Sequence, residues 1–576
     1  MYINDIRNDF YKLLIGKRVL LLVNYDIDAI CACKILQSIL KTDHIVYTLV
    51  PVRGIEELKT AYRENSDQVK YVIFINCGGT VDVVDLLEPE DDVVFFILDS
   101  HRPTDVCNVY IPDQVRLLSE RKDDENIPEC KDIFKDEEVN DENDSDESSD
   151  EEDNGSEAGS EDDDEEGRQN KRRRLAEETI IKRRERRQWE EKRNQLLFTY
   201  TQYSYFGRSS AIVMFELAWK LSKDSNDLLW WAIVGATEQM LLNKIEYQQY
   251  ILETGNLQNH VLRLGHQVGD DETQSVSTLK ISFMKDLQLA LYRHWTVESS
   301  LRYSRYSATK LRLWTLRGEK KVQELLVEMG LPLVQSRQKF NAMDLILRQE
   351  FHSKMEKMGE KFNMDRITYG SFTLQYGYRG RYCASDFVYA MLALLEFPLQ
   401  DKSSADCFMD AMDCLSRLKK DVLEDGIEKA KKMLVCVFRQ VQSLLEMRQV
   451  ISAGPFVYVI LQEGALDVHY FSHPHCLYLL AQFALGAYVT AARNKKAPSQ
   501  PLIASAPMDV ELGTCLVIGI PPVADESNNN FFGKAFEQAA EKINARMNMD
   551  YFDTSIVQLK TEDRTKFLDA LTSLLS

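Results

Sequence analysis

The sequence is poor in cysteine and contains no long apolar run. Only 11 of its 576 residues are cysteines, and no two of them form a Cys-x-x-Cys pair. Cysteines this sparse and scattered predict a reducing compartment, without a disulfide framework or a zinc ribbon. No uninterrupted apolar stretch reaches the length of about 18 residues that a membrane span needs. A Gly-x4-Gly-Lys-Ser/Thr motif is also missing, which argues against a P-loop nucleotide hydrolase.

Outside one segment the sequence carries almost no net charge. The formal net charge is −21, but residues 123–166 alone hold 24 Asp and Glu against 2 Lys. Residues 168–193 reverse the sign, with 12 Lys and Arg against 5 Glu. The acidic run has few large apolar side chains, so burial cannot offset its chain entropy. We therefore predict a disordered acidic and then basic insert over 120–195, whose basic part is also compatible with a long charged helix from about Glu177.

Apolar runs alternate with helical patterns over the first 111 residues. Arg18–Tyr25 is continuously apolar, and similar runs follow at 44–52, 71–76 and 93–99. Strands that are apolar on both faces and separated by helices are typical of a doubly wound parallel sheet. The first part of the chain is therefore predicted to be an α/β domain with a parallel sheet.

The rest of the chain divides by pattern into two further regions. Residues 251–450 show mostly helical spacing, whereas 451–576 again alternate between strand and helix patterns. We predict three parts: an α/β domain over 1–250 that carries the charged insert, a mainly helical middle region for interactions over 251–450, and a second α/β domain over 451–576.

Polar residues follow the predicted strands where functional groups collect in such a sheet. Six of them come from three strands and are Asp26, Asp28, Asn76, Asp99, Ser100 and His101. Carboxylates with one imidazole suit Mn²⁺ or Mg²⁺ better than zinc. An alternative without any ligand is that these side chains only satisfy backbone groups at the strand ends.

The same residues resemble the motifs of the DHH phosphoesterase superfamily, which includes the RecJ nucleases. Residues 25–29 (YDIDA) resemble its first motif, 76–78 (NCG) its second motif, usually Asp-x-Gly, and 99–101 (DSH) the Asp-His-His motif. Residues 232–239 (AIVGATEQ) resemble the fourth motif, whose acid falls at Glu238 or Gln239.

Two departures from these motifs concern the metals. Asn76 replaces the second-motif Asp, and Ser100 replaces the first His of the third motif. A neutral amide cannot bridge two cations, and two-metal hydrolysis depends on bridging carboxylates. We therefore predict a degenerate site with no catalytic residue, no metal and no cofactor. The alternative is an active Mn²⁺-dependent single-strand DNA exonuclease of the DHH type.

Over nearly its whole length the sequence is similar to the cell division control protein 45 family. The similar runs are VLLLVNYDIDAICACKILQ, YTLVPV, FELAWKLSKDSNDLLWWAIVG, MGLPL, GIPP and KFLDALTSLLS. The resemblance implies a DHH-like domain, a helical middle and a DHHA1-like end. It further implies an essential, non-catalytic subunit of the eukaryotic replicative DNA helicase that binds the MCM ring, which holds the ATPase, and the GINS complex.

Further expectations follow from the same resemblance. They are contacts with replication-initiation loading factors and the replicative polymerase, a possible contact with single-stranded DNA, no membrane association, no homo-oligomer and a nuclear location. The basic clusters are candidates for a nuclear import signal: Lys171, Arg172, Arg173, Arg174, Lys182, Arg183, Arg184, Arg186 and Arg187. Ser148, Ser149 and Ser160 each precede an acidic residue by three positions and are candidates for phosphorylation.

Two smaller clusters have more than one interpretation. The aromatic residues of 198–206 (FTYTQYSYF) can stack on single-stranded bases or pack in the core. His469, His473, His475 and Cys476 lie close together, but their spacing fits no common zinc pattern. We therefore favour a strand-to-helix turn for this cluster over a metal site.

Overall fold

The computed structural model describes most of the chain. The described residues are 1–67, 69–119, 126–134, 165–267, 279–376, 380–397, 402–465, 467–524 and 527–576. They form two compact units, one of Met1–Arg121 with Tyr203–Ser576, and one of Lys122–Gln202. The predicted boundaries near residues 250 and 450 both lie inside the first unit and stay a prediction.

The first unit begins with a five-stranded parallel sheet of order β2-β1-β3-β4-β6. The strands of this region are β1 (Arg18–Asn24), β2 (Val46–Val52), β3 (Tyr71–Ile75), β4 (Val94–Leu98), β5 (His101–Arg102) and β6 (Val115–Leu117). Its helices are α1 (Lys12–Leu14), α2 (Ile27–Thr42), α3 (Ile55–Asn65), α4 (Val83–Leu87) and α5 (Val106–Tyr110), after a π-helical turn at Ile6–Tyr11. All five residues of β3 are buried, as its apolar run predicts. The predicted parallel α/β arrangement is confirmed.

The second unit contains α6 (Cys130–Ile133) and the 37-residue helix α7 (Glu165–Thr201). The predicted disorder is therefore wrong for the basic part of the insert, and the helix begins before Glu177. Its composition gives a physical reason, because Lys, Arg, Glu and Gln are good helix formers and form pairs four residues apart. One such pair joins Arg186 Nε to Glu190 Oε1 at 3.0 Å.

The middle of the chain is mainly helical but also contains a sheet that the sequence patterns did not reveal. Strands β8 (Leu279–Leu287), β9 (Thr368–Tyr376) and β10 (Gly380–Cys383) form an antiparallel sheet of order β10-β9-β8, after the short β7 (Tyr205–Phe206). The helices are α8 (Ser210–Lys220), α9 (Asn226–Leu241), α10 (Tyr247–Gln267), α11 (Val297–Tyr303), α12 (Arg305–Leu311), α13 (Leu316–Glu328), α14 (Leu333–Ser336), α15 (Leu345–Lys361), α16 (Ala384–Glu396), α17 (Ser404–Cys414) and α18 (Lys420–Glu446). Helices α8 and α9 pack against α2 and so extend the core of the first sheet.

The C-terminal region forms a six-stranded mixed sheet of order β11-β12-β13-β14-β16-β15, in which only β12 and β13 run parallel. Its strands are β11 (Ile451–Ser452), β12 (Val457–Ile460), β13 (Leu502–Asp509), β14 (Thr514–Ile520), β15 (Met547–Asn548) and β16 (Ile556–Lys560). Its helices are α19 (Pro474–Ala491), α20 (Phe532–Ile543) and α21 (Arg564–Leu575). The predicted second α/β region is confirmed. Within the described parts of the chain, no helix combines the length and the apolar character that crossing a membrane requires.

Residues 550–553, which we call the docking loop, join the C-terminal sheet to the first one. The carbonyl oxygen of Asp550 accepts a hydrogen bond from Ile55 N at 2.8 Å, and its Oδ1 accepts one from Glu56 N at 2.9 Å. Asp550 thereby caps α3, whose own N-cap residue is Gly54 and has no side chain to offer. Phe552, only 3% exposed, packs into the core of the first sheet. The loop therefore fixes the two α/β regions to each other.

The close approach at Gly54 allows a test of this docking. A Cβ at Gly54 would lie 2.5 Å from the Asp550 carbonyl oxygen, although the extended backbone there accepts any residue. We expect Gly54→Ala to destabilise the protein by about 1–3 kcal/mol through overpacking. The control is Gly255→Ala, because a Cβ at that exposed position of α10 meets nothing within 4 Å. It should be neutral or stabilise by about 0.5–1 kcal/mol. Thermal unfolding measures both, and an unchanged Tm for Gly54→Ala would contradict a tight docking.

Candidate functional site

The six predicted site residues meet at the carboxyl ends of β1, β3 and β4. Asp26 is the N-cap of α2, where its Oδ1 accepts a hydrogen bond from Ala29 N at 2.5 Å, and Asp28 lies in the first turn. Asn76 follows β3 with a left-handed backbone (φ 51°), a conformation that Asn tolerates better than most residues. Residues 99–101 follow β4, and all six residues are buried. The structure thus brings them together as the sheet topology predicts.

The side-chain amide of Asn76 lies between the two carboxylates. Its Nδ2 is 3.2 Å from both carboxylate oxygens of Asp26 and 3.1 Å from Oδ2 of Asp28. Its Oδ1 accepts hydrogen bonds from Ser100 N at 3.1 Å and from Ser210 Oγ at 2.5 Å. Both ends of the amide are therefore used, and its N–H groups point at the acids.

The carboxylate of Asp28 is also held by the start of α8. It accepts hydrogen bonds from Ser209 Oγ at 2.5 Å, Ser210 N at 2.8 Å and Ala211 N at 3.0 Å. Backbone N–H groups at a helix start favour a negative charge. Burial, and then the charge of Asp26, nevertheless raises the pKa of Asp28. No sequence pattern indicated the two serines, because nothing in their spacing relates them to Asp28.

Asp99 and His101 form a second, separate pair beside this group. His101 Nδ1 is 2.7 Å from Asp99 Oδ1, which also accepts a hydrogen bond from His101 N at 2.8 Å. Burial favours the neutral form of both groups, but their mutual attraction outweighs it. The pKa of Asp99 is consequently lowered and the pKa of His101 is raised. Ser100 contributes backbone bonds, since its N donates to Asn76 and its carbonyl oxygen accepts from Gly207 N.

The fourth motif supplies a buried ion pair that sequence reasoning missed. Glu238 is fully buried, and its Oε1 lies 2.7 Å from Lys244 Nζ. The Lys244 ammonium also lies 4.9 Å from the centre of the Phe206 ring. Burial opposes its charge, but the charges of Glu238 and Asp26 raise the pKa of Lys244. Gln239 is the other candidate for the acid position of the motif, and its side-chain amide donates a hydrogen bond to the carbonyl oxygen of Gly207 at 3.3 Å.

This donor set does not fit a two-metal centre. Such a centre needs carboxylate oxygens that are turned to the ions and shared between them. Here the oxygens of Asp26 and Asp28 accept N–H and O–H groups, and an amide lies between them. Among the described residues, one group of three metal-type side chains has ligand atoms within 4.8 Å of one another: Asp82, Asp105 and Cys107. That group contains none of the six predicted site residues.

A cavity of about 360 Å³ borders the site. Asp26, His101, Phe206 and Lys244 line one side of it. Phe206 also packs against His101, with 5.1 Å between the ring centres. This aromatic side chain of the 198–206 run is therefore part of the wall of the site.

Two members of the C-terminal histidine cluster, His473 and His475, line another side of the cavity. Glu396 Oε1 lies 2.5 Å from His475 Nδ1 and accepts a hydrogen bond from His475 N at 3.0 Å, while Oε2 accepts one from Cys476 N at 2.7 Å. The carboxylate at the end of α16 thus caps the start of α19. The predicted strand before this cluster is wrong, because His469 lies in a 3-10 helix (Val468–Ser472) and His475 and Cys476 lie in the first turn of α19.

The remaining predicted residues lie in the insert, and some of them are outside the residues that the structure describes. Ser148, Ser149 and Ser160 lie outside the described residues. Helix α7 contains Lys171, Arg172, Arg173, Arg174 and Lys182, and the structure describes the backbone of these residues but not their side chains. The described side chains of the second basic cluster are exposed: Arg183, Arg184, Arg186 and Arg187.

The position of the Asn76 amide predicts the effect of restoring an acid. Asn76→Asp removes the N–H donors and buries a third carboxylate beside Asp26 and Asp28, at a cost of about 3–5 kcal/mol. We expect a clearly lower Tm, whereas Asn494→Asp, the same change at an exposed turn, should leave the Tm unchanged. If Mn²⁺ raised the Tm of the Asn76→Asp variant to the wild-type value, the site would be a latent metal centre and this interpretation would be wrong.

The Glu396–His475 pair predicts a pH-dependent stability. Burial opposes both charges, but the attraction between them lowers the pKa of Glu396 from 4.5 to about 2 and raises the pKa of His475 above 6.5. The contribution of Glu396 is lost as the pH falls from 4.5 toward 2, and that of His475 is lost as the pH rises above 6.5.

Glu396→Gln should therefore lower the Tm most between pH 4.5 and 6.5, by an amount that corresponds to about 3–5 kcal/mol. Thermal unfolding from about pH 3 to about pH 9, a range that includes the ordinary pKa values of a glutamate and a histidine, measures the difference. Glu356→Gln, at an exposed position of α15, is the control and should follow the wild type. If the Tm difference between Glu396→Gln and the wild type did not change with pH, Glu396 and His475 would not form a charged pair.

Comparison with known proteins agrees with the resemblance read from the motifs. A family model described as CDC45 matches residues 19–574. The cell division control protein 45 homolog of Homo sapiens is 46% identical over 581 residues, which cover 100% of both chains. The homolog of Schizosaccharomyces pombe is 31% identical and covers 96% of each chain.

A solved structure shares the fold over the full length. The crystal structure of CDC45 from Entamoeba histolytica superposes with a TM-score of 0.69 and covers 100% of both chains, at 22% sequence identity. The family model and the full-length relatives lead to one conclusion: this chain belongs to the CDC45 family.

Proposed function

We propose that this protein is an essential, non-catalytic subunit of the eukaryotic replicative DNA helicase. Membership of a family named for cell division control, whose homologues match over the full length, supports a role in DNA replication. In this proposal the protein binds the MCM ring and the GINS complex and activates origin unwinding and fork progression. The helicase activity itself resides in the ATPase of the MCM ring.

The position of the Asn76 amide carries the non-catalytic part of the proposal. A hydrolytic centre stabilises an attacking water through metal ions that share carboxylates. In this protein a neutral amide contacts both acids at 3.1–3.2 Å, and Lys244 supplies a fixed positive charge nearby. These contacts argue against the alternative function, an active Mn²⁺-dependent single-strand DNA exonuclease.

Exposed apolar side chains of the middle region support its role in binding protein partners. They lie on α13, α14 and α15 and are Leu316, Val327, Val334, Leu345 and Ile346. Large apolar side chains that are left exposed on consecutive helices are typical of a protein contact surface. We propose that this part of the surface contacts the helicase partners.

The insert supports a nuclear location. Exposed arginines on α7 fit a nuclear import signal, together with the upstream basic cluster, and we propose that this segment is recognised for import. We also propose that Ser148, Ser149 and Ser160 are phosphorylated, which would add about −1.5 to −2 charges each. Contacts with loading factors, with the replicative polymerase and with single-stranded DNA, and a monomeric state outside the complex, belong to the same proposal.

The experiment is affinity purification of the tagged full-length protein from S-phase nuclei, after nuclease treatment to remove DNA bridges. We expect MCM and GINS subunits together in the bound fraction, identified by mass spectrometry. A double variant with Val327→Asp and Val334→Asp should recover less of both. The matched control is Leu418→Asp, the same kind of change at an exposed apolar residue outside α13–α15.

Two results would contradict the proposal. One is a folded, nuclear protein that recovers neither MCM nor GINS subunits. The other is release of mononucleotides from single-stranded DNA by the purified protein with Mn²⁺, lost in the Asp28→Ala variant, which would establish the exonuclease instead.

A further inference from the structure

The cavity beside the site carries more acid than base. Carboxylates of Asp26, Glu57, Glu396, Asp550 and Asp553 are part of its wall. Glu396 is matched by His475, and Asp26 is held by amide N–H groups. The other three acids, Glu57, Asp550 and Asp553, have no ion-pair partner among the described residues.

Each of these three acids uses only one carboxylate oxygen in the hydrogen bonds of the structure. Glu57 Oε2 accepts from Arg53 N at 2.9 Å, Asp550 Oδ1 from Glu56 N at 2.9 Å, and Asp553 Oδ1 from Ser555 N at 2.9 Å. Within the described parts of the chain, none of the three forms an ion pair with a lysine or arginine. Since a carboxylate has about four acceptor sites, each has acceptor capacity left.

The cavity already holds two cations of the chain over aromatic rings. The guanidinium of Arg53 lies 4.8 Å from the centre of the Tyr25 ring, and Lys244 lies 4.9 Å from that of Phe206. Lys244 is paired with Glu238, and His101 with Asp99, so among the described residues Arg53 is the cation of the wall that has no ion pair of its own. Tyr478 and Tyr551 add two further aromatic side chains to the wall. Carboxylates combined with aromatic faces are the groups that recognise organic cations.

We propose that this cavity binds an organic cation, an alkylammonium or guanidinium group. Its charge is taken up by Glu57, Asp550 and Asp553, and its carbon chain packs against Tyr478 and Tyr551. The volume of about 360 Å³ lies within the range of about 300–1,000 Å³ of small-ligand sites. The same acids repel phosphate groups, so a nucleic-acid strand is a poor occupant. The cation is either a free oligoamine or a lysine or arginine side chain of another protein.

The test needs a reporter inside the cavity, because the acidic segment 123–166 also attracts polycations. Met508 borders the cavity, so the resonance of its ¹³C-labelled methyl group reports on it in the full-length protein. Spermidine is the first probe. We expect a saturable shift of the Met508 resonance, while that of Met355, fully buried in α15, stays in place.

The matched variants remove charge and keep the hydrogen bonds. Asp550→Asn with Asp553→Asn leaves both Oδ1 acceptors in place and removes two charges. We expect half-saturation at about tenfold higher spermidine concentration in this double variant, since two exposed ion pairs with the ligand are lost. The control is Asp344→Asn, which also keeps its acceptor, for Ile346 N at the exposed start of α15. It should bind as the wild type does.

A second titration distinguishes the two sources of the cation. It uses a tripeptide amide with one central lysine at the same ionic strength. Tighter binding of spermidine assigns the cavity to a free oligoamine, and tighter binding of the peptide assigns it to a protein side chain. The proposal is overturned if neither probe moves the Met508 resonance, or if the double variant responds as the wild type does.

Discussion

The amide of Asn76 joins more of the structure than any other side chain of the site. Its nitrogen contacts the acids that begin α2, and its oxygen accepts from Ser100 after β4 and from Ser210 at the start of α8. Three strand ends and two helix starts are thereby held at one point. The folded state is destabilised by about 1–3 kcal/mol when a buried polar atom loses its hydrogen-bond partner, so these contacts depend on one another. The orientation of α2 and α8 on the sheet therefore depends on this amide.

Each of the other buried acids near the site has its own partner from within the chain. Asp99 has His101, Glu238 has Lys244, and Glu396 has His475. Asp26 and Asp28 have only dipoles as partners, which explains why the pKa of Asp28 is raised by burial and by its neighbour. A buried charge is tolerated only with such compensation. The charges of Asp99, Glu238 and Glu396 are thus compensated by ion pairs, while Glu57, Asp550 and Asp553, which face the cavity, have hydrogen bonds but no ion pair among the described residues.

The sequence allowed the first sheet and the position of the site to be predicted, because both follow from local patterns. Continuous apolar runs such as Arg18–Tyr25 occur where a strand is buried on both faces, and the carboxyl ends of parallel strands meet at one edge. The six site residues therefore came together as expected. The disorder predicted for the basic half of the insert was wrong, because apolar content says nothing about a helix that Lys, Arg and Glu side chains stabilise themselves.

What the sequence could not reveal are the partners that lie far apart along the chain. The middle sheet was missed because β8 and β9 are 9-residue strands of mixed polarity, and the segment between them, 288–367, is mainly helical. Asp550 caps α3 across a separation of 494 residues, and nothing near either residue indicates it. Lys244 was missed for a related reason, since a lysine after a helix is ordinarily a solvent-exposed residue.

The contacts that hold the site together also occupy the carboxylate oxygens that metal ions would need. A metal-dependent active site keeps carboxylate oxygens available for ions and water, and it gives up some stability to do so. Here the oxygens of Asp26 and Asp28 are taken up by Asn76 and by the start of α8, and the nearby positive charge is a covalently fixed lysine. These contacts join the starts of α2 and α8 to the carboxyl ends of β1, β3 and β4.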